Sequence, residues 1–244
     1  MRLKGKRIAI SGASKGLGKA LAQRFAREGA SLALCARGSE AMKRVALELE
    51  EIGTEVVWRA CDISDQVQAQ DFIADVLNRF GYIDVLVNNA SAIVPLKDIA
   101  DYTSQEWEDV VRVNVNGLFY LSRAVLPSMM ERKAGTIINV SSSVGRAVRP
   151  QWGAYAVTKF ALEGFTHLLA EELRPHNISV NSVNPGAMAT EMRRVVHPEE
   201  DQTLLRKPEL VTELFVYLAS DDGTGISGQQ FDASTYIAQP KDKS

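Results

Sequence analysis

The chain has 244 residues, with 28 Lys and Arg against 30 Asp and Glu, so its formal net charge is −2. That balance carries no basic stripe, which argues against nucleic-acid binding. At 45% hydrophobic and 24% charged residues, the composition is that of a water-soluble globular chain of a size suited to one α/β domain over 1–244. No stretch approaches the ~18 apolar residues of a membrane span, and the opening "MRLKGKRIAISG" has too short an apolar run for a signal peptide. Two cysteines, Cys35 and Cys61, cannot build a disulfide framework. They are read as small buried apolar residues in a reducing, cytoplasmic setting. His167, His176 and His197 are scattered, and no metal-ligand spacing is present, so no metal is expected.

In chain order, "RIAIS" (7–11) reads as a strand and 16–29 as a helix stopped by Gly29. A strand at 31–36, a helix at 39–53 and a strand at 55–62 follow. The helix at 64–81 takes Ser64 as its N-cap and Gly81 as its stop. Next come a strand at 84–90, helices at about 103–113 and 115–133, and a strand at 135–142. A helix covers 153–173, a strand 178–186, a helix 208–220, and a short last strand lies within 228–233. The polar end, 238–244, reads as a frayed tail. Short apolar strands alternating with helices predict a doubly wound (Rossmann) parallel sheet of about seven strands, helices on both faces.

The first strand runs into "SGASKGLG", with Gly12, Gly16 and Gly18 at the strand-to-helix turn. Glycines there let the backbone approach a ligand closely. The helix N-terminus behind them favours a pyrophosphate. The stretch lacks the Gly-Lys-Ser/Thr ending of a P-loop, which argues against an NTPase. An acid that would bind a ribose 2′-hydroxyl is missing after the second strand; "LCARG" offers Arg37 instead. A guanidinium suits a 2′-phosphate, and Lys15 offers a second positive charge.

Tyr155 and Lys159 are four apart, so on a helix they share a face. Ser142 lies 13 residues before Tyr155, at the carboxyl end of the preceding strand, the edge where parallel sheets gather ligands. A tyrosine pKa of about 10 is high for proton exchange near neutrality, and a nearby ammonium is expected to lower it. Ser142 can hydrogen-bond a substrate oxygen on which charge develops.

The spacing Gly-x-x-x-Gly-x-Gly after the first strand, with "NNA" at 88–90, Ser142 and Tyr-x-x-x-Lys, resembles the short-chain dehydrogenase/reductase family over nearly the whole chain. The resemblance implies an oxidoreductase that moves hydride between a nicotinamide and a carbonyl or secondary alcohol. Asn114, Ser142, Tyr155 and Lys159 would be its catalytic set, Tyr155 the general acid and base. Asn114, 28 residues before Ser142, would hold a water linking Lys159 to solvent. Cofactor contacts are implied for Gly12, Ser14, Lys15, Gly16, Leu17, Gly18 and Arg37, for Asp62 and Ile63 at the adenine, and for Asn89 and Ala90. Tyr155 and Lys159 would also hold the cofactor. Pro185, Gly186, Met188 and Thr190 match the family's Pro-Gly-x-x-x-Thr segment, whose threonine bonds the carboxamide and so favours 4-pro-S hydride transfer. The basic residues favour NADP(H) over NAD(H). Two departures stand out: Ser91 replaces the glycine after "NNA", and "FDAS" (231–234) replaces Asp-Gly-Gly.

The segment 190–207 is expected to be a lid, with Ser143, Val144, Trp152 and Met192 against the substrate. Arg146, Arg149, Arg193 and Arg194 can meet an anionic substrate. A 3-oxoacyl thioester reductase remains one specific activity, although Lys133 and His176 stand at its docking positions. A sugar or polyol dehydrogenase is another. The alternative from a different class is a non-catalytic NADP(H)-sensing regulatory protein. The helix at 153–173 carries two apolar stripes, Val157–Ala161–Gly164–Leu168 and Leu162–Phe165–Leu169–Leu173. One can face the sheet, and the other implies a subunit interface. By resemblance that means a homotetramer, with a dimer as the alternative.

Overall fold

A computed structural model describes residues 1–236; the tail expected at 238–244 lies outside the described residues. Seven strands form one sheet: β1 (Arg7–Ser11), β2 (Ser31–Ala36), β3 (Val56–Ala60), β4 (Val85–Asn88), β5 (Gly135–Val140), β6 (Ile178–Asn184) and β7 (Gln230–Asp232). Their order is β3-β2-β1-β4-β5-β6-β7 and every pair is parallel. Central strands of such a sheet are covered on both faces, and β4 and β6 are buried from end to end, the polar Ser179, Asn181, Ser182 and Asn184 of β6 included. The chain turns back between β1 and β4, the point where such sheets open a crevice at their carboxyl edge.

The helices are α1 (Gly16–Arg27), α2 (Ser39–Glu50), α3 (Gln66–Phe80), α4 (Ser104–Val111), α5 (Leu118–Arg132), α6 (Gly153–Leu173), α7 (Glu191–Val196) and α8 (Glu213–Ala219). Alternation along the strands divides the core in two. Ile8 and Ile10 pack with Phe25 of α1 and Phe215 of α8 on one face. Ala9 and Leu86 pack with Phe72 of α3, Val125 of α5 and Leu169 of α6 on the other.

Several boundaries differ from the sequence reading. The N-cap of α3 is Asp65, not Ser64: its carboxylate accepts from the Val67 and Gln68 amides, taking two of the orphan donors at that end. Ser64 instead donates its amide to Asp62 Oδ1 at 3.0 Å. The two helices expected around 103–133 are joined by a π-helical turn, Arg112–Gly117, a wide turn that recurs at functional sites. The helix expected at 208–220 begins as a 3-10 turn, Pro208–Val211, before α8. β7 is only three residues long. α7 lies inside the segment expected to be a lid, where no helix was read.

Of the two stripes on α6, Leu162, Leu169 and Leu173 are buried. Val157 and Leu168 of the other are 49% and 59% exposed, beside Phe160 at 42% and Phe119 of α5 at 44%. An apolar strip therefore remains uncovered on the outer side of α5 and α6.

The turn after β1 is held by close approach. Gly12 has φ +67°, and a Cβ there would meet the Ala90 backbone at 2.8 Å; a Cβ on Gly18 would lie 2.2 Å from the Gly12 carbonyl oxygen. Gly18→Ala is therefore expected to destabilise the fold by about 2 kcal/mol or more through overpacking. Urea unfolding measures this; a midpoint equal to that of the wild type would refute the close-packing account.

Candidate active site

At the carboxyl edge of the sheet the loops after β1 to β6 enclose one cavity of about 1040 Å³. Its first end is built on the turn after β1. The Ser11 hydroxyl accepts from the Asn89 and Ala90 amides, both at 3.1 Å. Asn89 Nδ2 donates to the carbonyls of Ser11 and Gly12 at 2.9 and 3.1 Å. Gly12, Ser14, Lys15, Gly16 and Leu17 line the cavity, with the N-terminus of α1 behind them. Gly18 does not line it; its role is to let α1 close on the Gly12 carbonyl. Asp62 and Ile63 form the neighbouring wall, with Asn89 and Ala90.

Arg37 reaches the cavity from the end of β2, as expected. Arg44, one turn into α2 and not singled out in the sequence, lines it too. The signal was its spacing: two helical turns beyond Arg37, on the helix that follows β2. Lys15 departs from expectation. Its ammonium is ion-paired with Glu191 at the start of α7, so its charge is already matched within the protein.

The second end lies under α6. Ser142, Ser143, Tyr155 and Lys159 all line the cavity. The Ser142 hydroxyl faces the Tyr155 phenol and draws its pKa down, but burial dominates and pushes it up to about 12. The expected lowering by Lys159 does not occur: the Lys159 ammonium donates to the Val140 carbonyl at 2.7 Å and lies 5.4 Å from the centre of the Tyr155 ring. Burial holds Lys159 itself down at about 8, with the charge of Glu163 pulling the other way. Both shifts follow from removing the charged form from water.

Asn114 is buried behind the wall rather than in it. Its Oδ1 accepts from Ser91 Oγ at 3.0 Å and the Ala92 amide at 2.7 Å. Its Nδ2 donates to the Ala92 carbonyl at 2.9 Å and to Thr158 Oγ1 at 3.0 Å. The side chain is thus a clamp between the loop after β4 and α6. This also accounts for the Ser91 departure, whose hydroxyl turns to Asn114. Asn88 is likewise structural: its Nδ2 donates to Ser122 Oγ at 3.1 Å and Asn139 Oδ1 at 2.9 Å.

Pro185, Gly186, Met188 and Thr190 line the cavity beyond β6. Thr190 caps α7, accepting from the Arg193 amide at 3.2 Å. Trp152 and Met192 line the wall beside Tyr155, and the Trp152 ring lies 5.9 Å from that of Tyr155 and 6.0 Å from that of His197. Val144, expected against substrate, is 1% exposed and packs inward, outside the cavity wall. Two of the four arginines are also spoken for. Arg146 pairs with Glu163 and Asp232, and Arg193 holds Glu200 through Nε and Nη2 at 2.5 and 2.7 Å. Arg149 and Arg194 line the cavity and are exposed. Among the described residues no cluster of His, Cys, Asp and Glu could hold a metal ion, and no helix is long and apolar enough to cross a membrane.

Comparison with known proteins gives one answer. The short chain dehydrogenase family model matches residues 6–201. The uncharacterized oxidoreductase YciK of Escherichia coli (strain K12) is 35% identical over 229 residues, 93% of this chain and 90% of that protein. A short chain dehydrogenase from Shigella flexneri 2a str. 301, complexed with NADP, superposes with a TM-score of 0.91 at 34% identity, covering 96% of this chain and 98% of that one. A 3-ketoacyl-(acyl-carrier-protein) reductase from Brucella melitensis, complexed with NADH, superposes with a TM-score of 0.87 at 30% identity, covering 94% and 97%. With its glycine turn, its seven-stranded parallel sheet and its Ser142–Tyr155–Lys159 cavity, this chain belongs to the short-chain dehydrogenase family of oxidoreductases.

Proposed function

We propose that this protein is an NADP(H)-preferring oxidoreductase acting on a carbonyl or secondary alcohol. The observation that carries the reading is the convergence of Ser142, Tyr155 and Lys159 on the same cavity as the α1 N-terminus and Arg37. The cavity fits a dinucleotide. Its glycine turn leaves no room for a Cβ at Gly12 or Gly18, and a helix N-terminus of this kind takes phosphate. When bound, the nicotinamide supplies or accepts hydride. Arg37 and Arg44 hold the ribose 2′-phosphate, and Thr190 and the Met188 backbone hold the carboxamide.

The residues then divide the work. With its phenol pushed up to about 12, Tyr155 is protonated at neutral pH and suited to donate to a substrate oxygen as a carbonyl is reduced. Ser142 donates a hydrogen bond to that oxygen, on which charge develops. Lys159, its ammonium anchored on the Val140 carbonyl, holds a ribose hydroxyl. Asn114 keeps the loop after β4 docked on α6, so that these groups stay in register. Arg149 and Arg194 at the cavity wall favour ketones that carry an acidic group. The chain acts in this reading as a single unit, with 190–207 as its lid. The uncovered strip of Phe119, Val157, Phe160 and Leu168 pairs copies of the chain into a homo-oligomer.

The first test follows NADPH oxidation with a panel of 3-oxoacyl thioesters, diketones, aromatic ketones and keto sugars. Tyr155→Phe is expected to lower kcat by about 10²-fold or more, the usual size of a lost general acid, while NADPH binding persists. Tight NADPH binding with no turnover across the panel would favour a cofactor sensor. A second test concerns the cofactor. Arg37→Ala should raise KM for NADPH by about tenfold or more, the equivalent of one lost charge-assisted hydrogen bond, and leave KM for NADH unchanged. Equal effects on both cofactors would remove Arg37 from the 2′-phosphate. For assembly, Leu168→Glu is expected to shift sedimentation towards a smaller species; a monomeric wild type would end that part of the reading.

A further inference from the structure

Glu163 is a carboxylate with 4% exposure, and none of the steps above uses it. It lies on α6 one turn beyond Lys159. Its Oε1 accepts from Ser141 Oγ at 2.5 Å and from Arg146 Nε at 2.9 Å, and its Oε2 accepts from Ser182 Oγ at 2.5 Å. Arg146 continues the network. It donates to Ser182 Oγ at 3.2 Å and to the Phe231 carbonyl at 3.1 Å, and it pairs with Asp232 at 3.4 Å. One buried carboxylate thereby joins α6 to the end of β5, to the turn after Ser142, to β6 and to β7.

A buried charge is costly unless it is paired and hydrogen-bonded, and an apolar residue at the same place is often no less stable. The presence of a fully satisfied carboxylate here calls for a reason beyond packing. Two contacts supply it. Ser141, which Glu163 holds, is the residue before Ser142. The turn after Ser142 is pressed onto Lys159 itself, since a Cβ on Gly145 would lie 2.8 Å from both the Cβ and the carbonyl oxygen of Lys159. We propose that Glu163 and Arg146 are a positioning pair, fixing Ser142 through Ser141 and setting the charge balance at the Lys159 ammonium; the proposal rests on the oxidoreductase reading above.

The surroundings of both groups are defined. Lys159 faces Tyr155 and Glu163 on its own helix, the Val140 carbonyl of β5, and Gly145 from the turn. Burial lowers its pKa to about 8 and Glu163 opposes that fall. Glu163 faces Ser141 from β5, Arg146 from the turn and Ser182 from β6, with Asp232 of β7 on the far side of Arg146. Removing Glu163 leaves Arg146 with Asp232 as its only ion-pair partner, and removing Arg146 leaves the Glu163 carboxylate with hydroxyl donors only. The two removals must therefore act on Lys159 with opposite signs. A scaffold role alone would not produce that.

The experiment titrates Lys159 in the full-length protein by the ¹³C shift of its ε-methylene, assigned by its loss in Lys159→Met. Glu163→Gln keeps the shape and an acceptor, and removes the nearer of the two carboxylates paired with Arg146. It is expected to move the Lys159 midpoint down by about one pH unit, and Arg146→Met to move it up by about half a unit or more, in line with the effect of single charges near a buried group. Arg146→Lys should return it towards the wild-type value. The alkaline limb of kcat should move the same way in each variant, with KM for NADPH changing less than about twofold, as expected of interactions that act on the chemical step. Midpoints that stay put, or that move in the same direction in both variants, overturn the proposal. Should Glu163→Gln fail to fold, Arg146→Met with its Arg146→Lys rescue decides the sign alone. Full turnover in Tyr155→Phe would instead remove the catalytic reading, and the Lys159 midpoints would still decide this one.

Discussion

The Gly12 carbonyl oxygen is the point on which the site is built. It accepts from Asn89 Nδ2 on one side and is approached so closely by α1 that residue 18 has no room for a side chain. Ser11 completes the knot by accepting from the amides of Asn89 and Ala90. These contacts join the first and fourth strands just beyond their carboxyl ends, where the winding of the sheet reverses. They set how wide the crevice is and aim the α1 N-terminus into it. Every later element of the site is placed relative to that opening: β5 delivers Ser142, α6 returns over the edge with Tyr155 and Lys159, and the chain after β6 closes the far wall.

Burial does more of the electrostatic work than the neighbouring charges do. The phenol and the ammonium of the Tyr-x-x-x-Lys pair are both withdrawn from water. Each is pushed towards its neutral form, one upward and one downward. The polar groups around the pair are satisfied within the protein. Asn114 spends both ends of its amide on the loop after β4 and on α6. Asn139 donates to Thr166 beneath the site. Such networks hold side chains in one arrangement because each broken bond would leave a buried polar atom unpaired.

Much of this was legible in the sequence because the signals were local. Strands covered on both faces read as short, largely apolar runs, and glycines at a strand-to-helix turn mark a close approach. The alternating strands and helices and the phosphate turn followed from those two rules; Ser142, Tyr155 and Lys159 followed from their spacing and from a family resemblance, and the order of the strands was not read from the sequence. What the sequence did not reveal depends on contacts between distant segments. The pairing of Lys15 with Glu191 spans 176 positions, and no local pattern announces it. Arg44 reached the cavity through the docking angle of α2. Val144 was placed by adjacency to Ser142, but the 3-10 turn Ser143–Gly145 rotates it into the core. The N-cap of α3 went to Asp65 over Ser64 because both residues have capping side chains and only the entry angle of the chain chooses between them.

The segment after β6 leaves and re-enters the body of the protein at nearly one point. Met188 bridges to Arg206, and the Ala189 amide donates to the Arg206 carbonyl at 2.9 Å. A stretch whose two ends are pinned together can change length without moving the sheet, since the entropy of closing a loop grows only slowly with its length. The wall built by this segment is in this sense a cassette, hung from the Met188–Arg206 neck and separable from the elements that carry Ser142, Tyr155 and Lys159. The same scaffold can therefore take a different wall by rewriting the residues between those pins, provided that Thr190, which caps α7, and Glu191, which pairs with Lys15, are kept.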